Sequence, residues 1–200
     1  MKTDINDITF QIPIRIDSIV RLENLIMSVQ SLLRSFDTHI TILEASNYPN
    51  GILQKMFGNK VEYLFLEDKD PVFYRTKYLN IMTRRSQTPY IGIWDADVII
   101  PKKQILDSIE KLRQGIEIAY PYDGHFYDTS NVIRELYFQN NPLFSINLIE
   151  GLFSPPITSL ICENLRFLRH SRPFFTSLQT EYPAPAIISS NTKNELKAET

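Results

Sequence analysis

Cysteine is almost absent: the 200 residues contain one, Cys162. A lone cysteine excludes an internal disulfide framework and a cysteine-rich zinc site, and it fits a reducing compartment. An excess of one charge is lacking too. Twenty-one basic residues face 23 acidic ones, leaving a net charge of -2, which argues against a chain built mainly to bind nucleic acid. Long apolar runs are missing. Leu143 to Cys162 comes nearest, but Asn147, Glu150 and the pair Pro155-Pro156 break it. It reads as a loose interfacial contact at most, not as a spanning helix. The first seven residues carry Asp4 and Asp7 and no apolar stretch, so they do not read as a secretory signal. A cytoplasmic protein is the expectation. With 43% hydrophobic and 22% charged residues, the chain suits one globular domain, with or without an appendage.

What is present is alternation. Ile8 to Ile14 reads as a strand that finishes near Pro13. Asp17 or Ser18 can cap the helix that follows. In that helix Ile19, Val20, Leu22, Leu25, Ile26, Val29, Leu32, Leu33 and Phe36 recur at spacings of three and four. His39 to Leu43 is a second strand, ahead of Glu44-Ala45-Ser46. A short helix over Leu53 to Phe57 stops at Gly58-Asn59. Val61 to Leu66 is a third strand, and Glu67 to Pro71 is a polar turn. Phe73 to Gln87 predicts a helix, Tyr90 to Trp94 a fourth strand. Lys102 to Gln114 predicts a helix that opens at Pro101 and closes at Gly115. Ile116 to Ala119 is a fifth strand. Strands alternating with helices imply an α/β layered fold with a largely parallel sheet.

The fourth strand delivers two acids, Asp95 and Asp97, at its C-terminal end. Side chains alternate along a strand, so both are expected to point to one side. Two like charges there repel unless a cation sits nearby. A hard divalent ion with oxygen ligands answers this, and such an ion usually also holds a substrate phosphate. A metal-dependent nucleotide or nucleotide-sugar site is thereby predicted. The plainer alternative is that the acids cap the helix starting at Pro101. In parallel sheets ligands bind beyond the carboxyl ends of the strands. Arg15-Ile16-Asp17, Glu44-Ala45-Ser46 and Asp95-Ala96-Asp97 all fall at such ends.

The segment Phe10-Gln11-Ile12-Pro13-Ile14-Arg15-Ile16-Asp17, the acid Glu44, the helix Arg75-Thr76-Lys77-Tyr78-Leu79-Asn80 and the motif Asp95-Ala96-Asp97 come in that order. With them the chain resembles the nucleotide-sugar half of a family 2 glycosyltransferase, over roughly residues 8 to 125. The resemblance implies a GT-A fold, Rossmann-like and three-layered. It implies inverting transfer of a sugar from a nucleotide-diphosphate donor, a UDP-sugar first among them, to a hydroxyl of a carbohydrate or lipid-linked acceptor. Asp97 would be the direct ligand of Mn²⁺ or Mg²⁺. Asp95 would touch the ribose, or the ion through water. Glu44 would accept from the uracil N3–H, or be an exposed loop acid. Pro13, Arg15 and Asp17 would line the donor edge, with Asp17 equally suited to capping a helix. Arg75 or Lys77 would lie over the diphosphate, and Asn80 would hold the edge loop; a solvated helix face is the alternative for these three.

The resemblance divides the chain into a donor half, 1–125, an acceptor-side region, 126–188, that diverges from the family, and a polar tail, 189–200, expected to be disordered. The family's acidic pair, which supplies the general base, has no counterpart after residue 150, where Glu150 and Glu163 stand alone. No catalytic base is assigned. A non-catalytic nucleotide-sugar binder or a truncated family member is therefore the second expectation. An aspartyl phosphotransferase using Asp95 and Asp97 is the third. His125 fits a metal shell, an acceptor contact or a structural role. Tyr120, Tyr122, Phe126 and Tyr127 fit a stacking platform or core packing. Arg166, Arg169, His170 and Arg172 fit a peripheral contact with an anionic membrane, a lipid-linked acceptor or a solvated face.

Overall fold

The first strand is buried on both faces. In the computed structural model, β1 spans Thr3–Ile14, and every residue from Ile8 to Ile14 is buried. That is the mark of a strand with a layer on each side. The structure describes residues 1–49, 51–122, 124 and 185–189; apart from 54–56 they lie in one compact unit.

After β1 come helix α1 (Ile19–Ser35), β2 (Phe36–Ser46), α2 (Ile52–Phe57) with a 3₁₀ turn over Gly58–Lys60, β3 (Glu62–Glu67), α3 (Arg75–Arg85), β4 (Tyr90–Ile93), α4 (Lys102–Arg113), β5 (Ile118–Ala119) and β6 (Ala186–Ser189). The strands form one sheet in the order β3-β2-β1-β4-β6-β5. The pairs β1/β2, β1/β4 and β2/β3 are parallel, while β6 runs antiparallel to both β4 and β5. The fold is thus α/β with a largely parallel central sheet, as expected from the alternation.

Adjacent residues of β1 show which helix covers which face. Gln11 accepts a hydrogen bond from Thr83 of α3 (3.1 Å). Phe10, which a strand must point the other way, packs edge-to-face on Trp94, and Trp94 donates its indole N–H to Ser28 of α1 (3.1 Å). So α1 and α3 lie on opposite faces. Leu43 and Ala45 of β2 join Tyr78 and Met82 of α3 in one buried cluster. On the α1 face, a Cβ on Gly92 would stand 2.5 Å from a Phe10 ring carbon, so glycine is needed there for space.

Several boundaries differ from the sequence expectations. Phe36 begins β2 instead of ending α1. It is extended, and its N–H still reaches the Leu32 carbonyl, so helix passes into strand with no loop between them. Ser18, not Asp17, caps α1, accepting from the Arg21 N–H (3.3 Å). β1 starts at Thr3, ahead of the expected Ile8, and ends at Ile14 as expected; Pro13 within it costs no ladder bond. The Gln11 carbonyl accepts from Trp94 N (3.0 Å), so Pro13, two residues on, turns its nitrogen to the same side, where β4 has already ended. Pro101 precedes α4 as its cap residue. Gly115 closes α4 as expected, at φ +101° with its N–H on Leu112 and that of Ile116 on Lys111. β6 has no counterpart in the sequence expectations. No helix among the described residues is long and apolar enough to cross a membrane. Leu143 to Cys162, His125, Phe126, Tyr127, the basic cluster from Arg166 to Arg172 and residues 190–200 of the expected tail lie outside the described residues, while Ser189, the first residue of that tail, is the last of β6 and not disordered.

Candidate functional site

The chain leaves β1 for β2 and β3 on one side, then returns to place β4 on the other side of β1. A sheet that reverses its order in this way opens a crevice beyond the strand carboxyl ends. Arg15 follows β1 there, and Asp95 follows β4.

The acid pair is not built as strand alternation predicts. β4 stops at Ile93, and Ala96 and Asp97 form a turn. Trp94 still points to the α1 face and Asp95 to the α3 face. There Asp95 Oδ1 receives Arg75 Nη2 at 2.6 Å, with both side chains largely covered. Asp97 lies on the exposed crest of the turn. Burial pushes the Asp95 carboxyl above the usual carboxylate range; Arg75 pulls it back down, and the nearby charge of Asp97 adds to the rise. The two acids thus feel each other, and of the two only Asp95 has an ion-pair partner among the described residues.

Ser28 ties this turn to α1. Its Oγ is 3.0 Å from the Val98 carbonyl and 3.3 Å from the Asp95 carbonyl, while accepting from the Trp94 indole. One hydroxyl therefore spans both ends of the acidic turn. Sequence reasoning missed it. The available signal was a serine set in the apolar stripe of Leu25, Val29 and Leu32, where a hydroxyl needs a partner.

The other basic residues are engaged in the wall of the crevice. Lys77 pairs with Asp68 at 2.9 Å, and Tyr78 Oη donates to the same carboxylate (2.9 Å). The Asp70 N–H donates to its other oxygen (3.0 Å). These bonds hold Asp68 at about 2. No feature of the turn Glu67 to Pro71 singled out Asp68 in the sequence. Arg15 donates to the carbonyls of Ala45 (3.0 Å) and Pro71 (3.2 Å) and lies over the Phe73 ring. It joins the end of β2 to the β3–α3 loop. The first turn of α3 borders an open cavity of about 380 Å³ lined by Tyr74, Arg75, Thr76 and Lys77. That turn holds no acid, and Tyr74 gives no side-chain cap, so the helix dipole there favours an anion, while its two cations are paired with Asp95 and Asp68.

Of the residues singled out by sequence, Arg75 and Asp95 are in direct contact, Asp97 is beside them, and Arg15 stands at the same edge. Lys77 is turned to Asp68. Asp17 is exposed and pairs with Arg21 (3.3 Å). Asn80 is half-buried in mid-helix, and Pro13 is buried within β1. Glu44 is no exposed loop acid. It lies inside β2, fully buried, and accepts from Tyr63 Oη at 2.6 Å. Burial and the Glu44 carboxylate together push the Tyr63 hydroxyl up. Tyr120 and Tyr122 are exposed, so core packing does not account for them.

Among the described residues, no three His, Cys, Asp or Glu side chains gather as a metal site. Among the described residues, the hard donors at this turn are the carboxylates of Asp95, paired with Arg75, and of Asp97, two residues on. So small a set of hard ligands does not suit a closed protein cage. It does suit a divalent cation that completes its shell with water and the oxygens of a bound phosphate.

No protein-family model and no curated protein matches the chain. Solved structures similar to it include the mannosyltransferase PcManGT from Pyrobaculum calidifontis, in complex with GDP-Man and Mn²⁺. That match has 12% identity and a TM-score of 0.43, and covers 56% of this chain and 34% of that one. Residues 1–349 of S. aureus TarS match with 14% identity and a TM-score of 0.45, covering 65% and 39%. Glucosyl-3-phosphoglycerate synthase from Mycobacterium tuberculosis, in complex with UDP, matches with 12% identity and a TM-score of 0.46, covering 92% and 57%. The chain spans less than two thirds of the length of each of these proteins.

Proposed function

We propose that this chain binds a nucleotide-diphosphate sugar, with a UDP-sugar as the first candidate, at the carboxyl ends of β1 and β4. On this reading it acts as a metal-dependent glycosyltransferase of the GT-A kind. The observation that carries the proposal is the Arg75–Asp95 pair at the switch point of the sheet, with the second acid, Asp97, left facing solvent beside it. A structural cap would need no cation opposite it. A diphosphate site needs one, and needs acids for the metal as well.

In the proposed reaction an acceptor hydroxyl oxygen bonds to the anomeric carbon as the bond from that carbon to the diphosphate oxygen breaks. The hydroxyl proton leaves to a base that is not assigned, and configuration inverts. Asp97 would hold a divalent cation, Mn²⁺ or Mg²⁺, which would supply positive charge against the charge developing on the diphosphate. Asp95 orients Arg75 and offers its remaining oxygen to a ribose hydroxyl or a cation-bound water. Arg75 presents its forked N–H groups to a phosphate oxygen, for which guanidinium is well shaped. Arg75, not Lys77, is the basic residue proposed for this role, since its partner Asp95 follows β4 and stands two residues from Asp97, whereas Lys77 is turned to Asp68 of the β3–α3 loop. Arg15 shapes the base side of the edge through the β3–α3 loop. Glu44 is assigned no donor contact.

The test is calorimetric titration of UDP and UDP-sugars, with and without Mn²⁺, on the wild type and on Asp97→Ala. Binding that strengthens with Mn²⁺ in the wild type, and no longer does so in the variant, is expected. Binding that ignores the metal, or no binding at all, removes the proposal. Turnover on a hydroxyl acceptor then separates the transferase from a donor-binding protein without activity.

A further inference from the structure

We propose that Ser28 is a positioning residue for the cation and diphosphate site, acting on it through the backbone and without touching the ligand. The inference rests on the reading of Asp95 and Asp97 given above. Asp97 is exposed on a turn, so no packing of its own side chain fixes where its carboxylate points. Its direction depends on the backbone of residues 95–98. Among the described residues, Ser28 Oγ is bonded to that backbone at both ends, at the Asp95 and Val98 carbonyls. Ser28 is itself 1% exposed and belongs to a helix of 17 residues whose inner face is buried with Leu25, Val29 and Leu32. The tether therefore runs from a stiff element to the one short turn that carries both acids.

The chemistry of the hydroxyl favours this role. Its lone pairs take the Trp94 indole N–H, while its single proton is shared between two carbonyls. A serine kept only to satisfy Trp94 would need no carbonyl partner on either side of the acids. With Ser28 as donor, the Asp95 and Val98 carbonyls are drawn toward α1, and the crest between them, with the Asp97 carboxylate, is held out over the crevice. Without the tether the turn samples other conformations, and an ion that needs a fixed oxygen pays for that freedom in affinity.

The experiment compares UDP binding with and without Mn²⁺, by calorimetry, for the wild type, Ser28→Ala, Ser28→Thr and Trp94→Phe, with thermal midpoints recorded alongside. Both Ser28→Ala and Trp94→Phe remove the indole–hydroxyl bond, but only the first removes the carbonyl tethers. The expected result is that Ser28→Ala loses about fivefold to tenfold of the Mn²⁺-dependent gain in affinity, the size of one hydrogen bond. Metal-free binding in that variant stays within about twofold. Trp94→Phe and Ser28→Thr keep most of the gain, whatever their midpoints. An undiminished gain in folded Ser28→Ala, or equal losses in Ser28→Ala and Trp94→Phe, overturns the inference and leaves the cation site standing. If Ser28→Ala does not fold, Ser28→Cys, a weaker donor, replaces it. An intermediate loss is then expected, and a wild-type gain overturns the proposal. A wild type that shows no Mn²⁺-dependent gain overturns this inference together with the proposed function.

Discussion

At the scale of single residues, the crevice is organised by two carboxylates under opposite influences. Asp95 is held above the usual range by burial, so its ionised form costs stability, and Arg75 offsets that cost. Removing the cation is therefore worse than removing the acid. Arg75→Met is expected to destabilise by about 2–3 kcal/mol, and Asp95→Asn by about 1 kcal/mol, because the amide brings no charge and keeps an acceptor for Arg75. Urea unfolding of the two variants checks the order. Asp68 is held at about 2, well below its ordinary 3.8. Above 3.8 it is charged in both folded and unfolded chains, and its contacts contribute fully. Below that, the unfolded chain takes up the proton first, and the contribution is gone by about pH 2. Its partner Lys77 is pushed up, so its share is present below its ordinary 10.5 and is lost as pH rises through the higher folded value. Asp68→Asn is expected to flatten the fall of the unfolding midpoint between about pH 4 and pH 2. An unchanged acid limb would contradict the hub seen at Asp68.

At the scale of elements, the sheet has no spare room where β4 meets β1 at Gly92. Gly92 faces the Phe10 ring with no room for a Cβ, and its backbone is not left-handed, so the constraint is steric. Gly92→Ala is expected to cost about 1–3 kcal/mol by overpacking. The Phe10 ring also packs edge-to-face on Trp94. Adding Phe10→Leu should recover part of the loss, and a double-mutant cycle by chemical denaturation reads that coupling. Additive losses would mean that the ring moves aside without cost.

At the scale of the whole molecule, the sheet is completed by a strand from far along the chain. β6 lies between β4 and β5, pairing with both, and it buries Ile187 and Ile188 at 0% and 3% exposure. Burying two such side chains is worth about 3–6 kcal/mol, a large part of the roughly 5–15 kcal/mol that holds a domain together. A chain ending at Pro185 is expected to lose its cooperative thermal transition, while one ending at Ser190 keeps it. Calorimetric scans of the two would show this. Equal transitions would mean that the strands Tyr90–Ile93 and Ile118–Ala119 hold without the one between them.

The alternation of strands and helices, the apolar stripe of α1, the stop at Gly115 and the polar strand ends could all be read from the sequence, because each is written in local spacing and in residues a few positions apart. The same spacing placed Asp95 at the end of the fourth strand. It could not show that the strand ends one residue earlier, at Ile93, that Asp97 faces solvent, or that Arg75 and not Lys77 meets the acid. It could not find Ser28 or Asp68, or predict β6 from four residues in a stretch rich in proline. Those features depend on contacts between residues 9 to about 100 positions apart. Local periodicity determined which elements form. Only the packing of the sheet against α1 and α3 decided which side chains meet at its edge, since hydrogen bonds and ion pairs across the chain are fixed by the tertiary arrangement and leave no periodic trace in the sequence.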